Sequence, residues 1–241
     1  MTHQDAPSHR QLRERIGTWL KKPLAHQVRS VTAKAQGAID SSVDVLFDRW
    51  HRLDCGGYIG NKDLETDFST SLPHARAYQA VSCAGVGELL DEVNKTGIAF
   101  DSFIDLGSGK GKACFYAATK RRFNKIIGVE FSGPLVEAAD ANKKNFSSHD
   151  IRFLNMDATL FSLPPGDNLV FLFNPFEEVI LLKFLENNID HFRQSRSVIA
   201  YANDQHRLCL ARLGFATIFR NQDSQASLHQ YINGSGQANR A

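Results

Sequence analysis

The stretch of this 241-residue chain richest in chemistry is Asp105-Leu106-Gly107-Ser108-Gly109-Lys110-Gly111. Glycines at alternate positions permit a tight turn and let a ligand approach the backbone closely. A Walker phosphate loop needs G-x-x-x-x-G-K-[ST], which is absent here. The dinucleotide fingerprint G-x-G-x-x-G would need glycine at 112, where Lys112 stands. An anionic Asp105 ahead of the first glycine suits a cationic or amine-bearing ligand better than a pyrophosphate. Further along stand Glu130-Phe131, Asp157-Ala158 and Asn174-Pro175-Phe176. A carboxylate can accept paired hydrogen bonds from hydroxyls or amines. An asparagine oxygen can orient an amine lone pair, a proline stiffens the loop beside it, and Phe176 can form an apolar wall. Each has a blander role open to it: a strand-terminal acid often caps a helix, an aromatic beside it is often core, and a proline turn often starts a helix.

These residues need elements to hold them. The apolar run from Phe100 to Leu106 reads as a buried strand, followed by the glycine turn and a helix from Lys112. Strand, glycine turn and helix together build a ligand crevice at the carboxyl ends of a parallel sheet. The alternation continues with strands at Lys125–Glu130, Ile151–Asn155, Leu169–Phe173 and Ser197–Ala202, and helices at Pro134–Phe146, Glu178–Phe192 and Gln205–Leu213. Two closing strands, Ala216–Arg220 and Leu228–Ile232, flank the hairpin signal Asn221-Gln222-Asp223-Ser224. Before the glycine turn, Ser82 or Cys83 to Lys95 forms an amphipathic helix with Gly97 as its C-cap. Val43 to Arg52 is also amphipathic, with Val43, Leu46, Phe47 and Trp50 on one side. Between these helices lies a glycine-punctuated, polar stretch, a cover for a site or a disordered loop.

Asp-x-Gly-x-Gly-x-Gly at 105–111 resembles the first motif of the class I S-adenosylmethionine-dependent methyltransferases. Five strands alternating with helices and then a terminal hairpin is that family's layout. The resemblance covers residues 83–233. It implies an α/β fold: a Rossmann-like seven-stranded sheet, parallel with one antiparallel strand from the terminal hairpin, flanked by helices, with an N-terminal helical extension. It also implies S-adenosylmethionine as cofactor, held by Asp105, Gly107, Ser108, Gly109 and Gly111. Glu130 would take the ribose hydroxyls, Phe131 the adenine face, and Asp157 with Ala158 the adenine amine. Asn174-Pro175-Phe176 looks like the Asn-Pro-Pro-aromatic motif of exocyclic-amine methyltransferases with one proline missing. It is also similar to the Asn-Asn-Phe stretch of the non-SET, class I type protein-lysine methyltransferases. That places Asn174, Pro175 and Phe176 at the transferable methyl. Tyr78 is a candidate to reach the cofactor, because an aromatic precedes the corresponding helix in relatives of the lysine-methyltransferase type.

The domains expected are a helical lid extension over 1–80, a methyltransferase domain over 81–233 and a flexible tail over 234–241. Hydrophobic residues make up 42% of the chain, enough for a core, and the formal net charge is +2. Residues 1–40 hold seven Lys/Arg against three acids, so the excess of positive charge is confined there. A basic amphipathic helix at His9–Lys22 would dock on the domain, with membrane-surface contact as the alternative. Four cysteines without a C-x-x-C pair, and no apolar run of about 18 residues, suggest a soluble cytoplasmic chain with reduced thiols. Nine scattered histidines show no metal-ligand spacing, so no metal is expected. The activity expected is methyl transfer to nitrogen of a protein lysine or a small amine-bearing molecule. A nucleic-acid methyltransferase is the rival enzyme, disfavoured by the lack of a separate recognition domain. A non-catalytic S-adenosylmethionine binder or scaffold is the rival from another class.

Overall fold

A computed structural model describes residues 24–68 and 70–232. The helix expected at His9–Lys22 and the tail from 234 lie outside the described residues. Contacts divide the chain into two compact units, Met1–Val45 and Leu46–Ala241. The described part of the first is helical, and its Ile39 and Val43 side chains are exposed.

The second unit is built on a seven-stranded sheet. Its strands are β3 (Ser102–Leu106), β4 (Lys125–Glu130), β5 (Ile151–Asn155), β6 (Asn168–Phe173), β7 (Val198–Ala202), β8 (Phe215–Asn221) and β9 (Ala226–Tyr231). Their order is β5-β4-β3-β6-β7-β9-β8, and only β9 runs antiparallel to its two neighbours. β3 and β7 are buried along their whole length, as expected of strands covered on both faces. Alternation sorts their side chains into two cores. Phe103, Leu169, Phe171, Val198 and Ala200 face the cluster that includes Val86, Leu89 and Leu90 of α2 (Cys83–Lys95) and Phe115 of α3 (Lys112–Lys120). Ile104, Leu106, Val170, Leu172 and Ile199 face the cluster holding Ile180, Leu181 and Phe184. α4 (Gly133–Lys143) links β4 to β5. The chain order reverses between β3 and β6, which opens the crevice at their carboxyl ends.

Three local features depart from the sequence expectations. The expected helix Glu178–Phe192 is two helices, α5 (Glu178–Asn187) and α6 (Ile189–Gln194). Asn188 separates them: its buried amide accepts from Leu163 N at 2.8 Å and donates to Phe161 O and Phe184 O, both at 2.9 Å. These bonds hold Asn188 at φ −113°, off helical geometry. α7 is shorter than expected, Arg207–Arg212. Third, the amphipathic segment at Val43–Arg52 is the end of a longer helix, α1 (Leu24–His51). Only Phe47 of its apolar side packs on the core, edge-on to Tyr116, while Leu46 and Trp50 are 64% and 84% exposed. No described helix is long and apolar enough to cross a membrane.

The stretch between α1 and α2 is ordered as a strap. β1 (Tyr58–Ile59) pairs antiparallel with β2 (Tyr78–Gln79), and short 3-10 turns form at Asn61–Asp63 and Leu72–His74. Leu64, Ala75 and Tyr78 pack with Leu135 of α4 in a small third core.

Candidate active site

β3 ends in the glycine turn. Gly107 and Gly109 sit at φ +75° and +51°, a region L side chains rarely adopt. Close approach also requires them to be glycine. A Cβ at Gly107 would fall 2.2 Å from Cβ of Pro175, and one at Gly109 2.3 Å from the Tyr78 ring. Gly111 caps α3 and packs against Phe153 and Phe115. The turn therefore touches the Asn174–Phe176 loop on one side and the strap on the other.

Polar contacts fix the strap to itself, to α4 and to the turn. Tyr78 Oη donates to Cys55 O at 2.6 Å. Asn142 of α4, buried, accepts from Asp54 N at 2.8 Å and donates to Asp54 O and Lys110 O at 3.2 Å. Lys110 Nζ donates to Gly56 O at 3.0 Å. Burial pushes the Cys55 thiol up to about 12, so it is not a nucleophile at neutral pH.

Three buried carboxylates stand near the ends of successive strands: Asp105 one residue before the end of β3, Glu130 at the end of β4 and Asp157 two residues past β5. Glu130 Oε2 accepts from Gly109 N at 2.9 Å and its Oε1 from Ser132 N at 3.0 Å. Burial raises its pKa, opposed by these backbone donors. Burial pushes Asp105 up to about 7, a thiol hydrogen bond from Cys114 pulls the other way, and the Glu130 charge adds to the rise. Asp157 accepts from Thr159 N and Thr159 Oγ1, both at 2.8 Å, and from the Ser71 hydroxyl on the strap.

These carboxylates line a cavity of about 320 Å³ together with Gly107, Ser108 and Phe131. Tyr78 and Ala158 line it too. Across β6, Asn174, Pro175 and Phe176 form part of the same wall. The structure thus brings together every site residue expected from the sequence except Gly109, which lies under Tyr78, and Gly111, which is turned into the core. Asn174 occupies the left-handed region at φ +42°, which asparagine tolerates better than most residues. It is buried, and its Oδ1 has no hydrogen-bond partner among the described residues. Ser108 Oγ, also buried, has none either.

Sequence reasoning missed several parts of the site. Ser71, Arg76, Asn203 and Gln205 line the cavity, and Asn142 holds the strap. Only position could have flagged Asn203 and Gln205, as polar residues just past β7. Glu177 is paired with His74 Nδ1 at 3.0 Å, and that bond lowers its pKa. Glu178 is paired with Arg212 at 2.9 Å. Among the described residues, no cluster of His, Cys, Asp and Glu could hold a metal ion.

The family model for the histone methylation protein DOT1 matches residues 71–162, from the strap through Asp157 and less than half of the chain. Among solved structures, TrmN from Thermus thermophilus superposes with a TM-score of 0.50 at 15% identity, covering 63% of this chain and 49% of that one. This is the class I methyltransferase fold. The chain spans about half the length of TrmN. An RNA methyltransferase from Salinibacter ruber matches with a TM-score of 0.47 at 18% identity, over 64% of this chain and 92% of that one. A TehB-like methyltransferase from Corynebacterium glutamicum matches at 0.44 and 16%, over 61% and 88%. No curated protein matches the chain. In methyltransferases of this class the cofactor is S-adenosylmethionine, and the donor set fits it. Acidic residues at strand ends line the cavity beside Gly107 and Ser108 of the glycine turn.

Proposed function

We propose that the protein transfers a methyl group from S-adenosylmethionine to nitrogen of a protein or small-molecule acceptor. The observation that carries this reading is Asn174: a buried amide oxygen with no partner among the described residues, on a strained backbone, in the cavity that the three carboxylates share. A buried unsatisfied oxygen costs about 1–3 kcal/mol. Such a cost is expected where an incoming donor will satisfy it.

Bound here, S-adenosylmethionine would supply a methyl group already activated by its sulfonium. Little acid–base machinery is then needed, and the chain's work is alignment and exclusion of water. Asp105 and the glycine turn would hold the amine-bearing end of the ligand, Glu130 its ribose hydroxyls, and Asp157 with Phe131 its base. Asn174 Oδ1 would accept a hydrogen from the acceptor nitrogen and so aim its lone pair. Pro175 and Phe176 stiffen and wall that path. The strap, residues 53–81, is the cover of the site. Four buried free thiols accord with a reducing compartment, and we place the protein in the cytoplasm.

Single-turnover rate and cofactor affinity measured on one variant test the reading. Asn174→Ala is expected to slow transfer by roughly 30- to 1000-fold, the size of one lost transition-state hydrogen bond, with S-adenosylhomocysteine affinity little changed. Unchanged turnover would remove Asn174 from the site. Tight NAD binding without affinity for S-adenosylhomocysteine would overturn the cofactor.

A further inference from the structure

Charge is distributed unevenly around the cavity. Of its charged lining residues, Asp105, Glu130 and Asp157 belong to the side built on β3, β4 and β5, and Lys112 is paired with Asp48 at 2.8 Å. On the acceptor side, with Asn174, Pro175, Phe176, Asn203 and Gln205, Arg76 is the one charged lining residue described. The arginines of α7 and β8 are in ion pairs: Arg212 with Glu178 at 2.9 Å, and Arg220 and Arg207 both with Asp204, at 2.7 and 3.9 Å. Arg76 has no ion-pair or side-chain hydrogen-bond partner among the described residues, and it is exposed. Glu177, whose charge it feels from beyond ion-pair distance, is already bonded to His74.

Arg76 is also held in place by its backbone. Its N–H donates to Pro175 O at 3.0 Å, Ala75 forms an antiparallel bridge with Phe176, and Glu177 N donates to His74 O at 2.9 Å. The strap therefore carries this cation directly beside the loop that presents Asn174. Among the described residues no carboxylate lines the acceptor side of the cavity, while a planar five-donor cation does.

Resting on the methyltransferase reading above, we propose that the acceptor is a small molecule that carries an anionic group, a carboxylate or a phosphate, and that Arg76 binds that anion while Asn174 aims the nitrogen. Arg76 is a specificity-determining residue with no part in the methyl transfer itself.

The test starts with calorimetry of S-adenosylhomocysteine on the full chain and on Arg76→Gln, where equal affinities are expected. Loss of binding in the unaltered protein would instead sink the cofactor reading. The unaltered protein is then given labelled S-adenosylmethionine and a cell extract divided into small-molecule, protein and nucleic-acid fractions. The label is expected in small molecules retained by an anion-exchange resin. At low acceptor concentration Arg76→Gln is expected to label them roughly 10- to 100-fold more slowly, through KM and not kcat, with partial rescue in Arg76→Lys. Inorganic phosphate and acetate, added in turn at fixed ionic strength, distinguish the two anions by which of them competes. Label in protein, in nucleic acid or in small molecules that pass through the resin would overturn the proposal. So would no transfer at all to the small-molecule fraction, or equal labelling by Arg76→Gln.

Discussion

The two sides of the cavity are finished differently. On the side built on β3, β4 and β5, each carboxylate already has donors from the chain: Gly109 N and Ser132 N for Glu130, Thr159 and Ser71 for Asp157, and the Cys114 thiol for Asp105. Across β6, Asn174 Oδ1 has no partner and Arg76 no counter-ion among the described residues. The first side is preorganised, its acids fixed before any ligand arrives, which suits a ligand that does not vary. The second side holds polar capacity in reserve, which suits a partner that must complete it.

The junction between the two sides is Gly107 against Pro175, and breaking it is expected to have the largest effect. Gly107→Ala combines a left-handed backbone with a Cβ 2.2 Å from Pro175 Cβ. Strain and overpacking together are expected to cost about 2–6 kcal/mol of stability. Denaturant melts should show that loss, with S-adenosylhomocysteine affinity falling alongside. A variant as stable as the parent would mean the two sides do not meet there.

Next in size is Glu130→Ala. It removes the proposed ligand for the ribose and releases Gly109 N, so S-adenosylhomocysteine should bind more weakly by about 1.5–3 kcal/mol. This contrasts with Asn174→Ala, where turnover is the quantity that falls. If Glu130→Ala lowered turnover and spared affinity, the assignment of the two sides would be reversed.

Asp105 sharpens the comparison through pH. Its carboxyl is raised to about 7 by burial, so the folded, ligand-free protein holds a proton there that the unfolded chain releases near pH 4. The stability this group contributes is full below the unfolded value and is lost as pH rises through about 7. A cationic amine beside Asp105 favours the ionised form, so binding expels the proton. S-adenosylhomocysteine affinity is therefore expected to rise with pH by up to about tenfold per unit below neutrality and to level off above it. Asp105→Asn should bind weakly with a flat profile. A flat profile in the unaltered protein would show that Asp105 does not meet the amine.

The legible and illegible parts of the molecule follow the same division. β4 and β5 have the bounds expected from the sequence: β4 is an apolar run between charged ends, and the edge strand β5 alternates buried Ile151 and Phe153 with exposed Arg152 and Asn155. The carboxyl ends of these strands fall at the crevice by topology, so Glu130, the last residue of β4, and Asp157, two residues past β5, could be placed there with the family resemblance naming their roles. Asn188 could not, since its three hydrogen bonds reach residues at 161, 163 and 184 and override a continuous helical pattern. Arg76 was hidden for a similar reason: its place depends on Ala75 pairing with Phe176, about a hundred residues away. Asn142 reads as an ordinary helix residue until the strap arrives on it. Leu46 and Trp50 carried the right periodicity for a buried face, yet only Phe47 meets the core.

The smallest expected effect tests whether the strap belongs to the preorganised side. Ser71 donates its hydroxyl to Asp157 Oδ2, while Oδ1 is taken by Thr159. A carboxylate oxygen has room for a second donor, so an adenine amine can share Oδ2 with Ser71 without evicting it. In that case the hydroxyl helps hold the strap over a bound ligand, and Ser71→Ala removes one net hydrogen bond, about 0.5–1.5 kcal/mol. S-adenosylhomocysteine should then bind roughly 2- to 12-fold more weakly. Saturating ligand should slow proteolysis of residues 53–81 in the parent and protect that segment less well in the variant. If Ser71 instead occupies the place the ligand needs, the sign reverses: Ser71→Ala binds more tightly and the strap is cut faster with ligand than without. Equal cutting of the parent with and without ligand would show that the strap is a fixed wall, and Asp157 would then join Glu130 as a carboxylate satisfied before the ligand arrives.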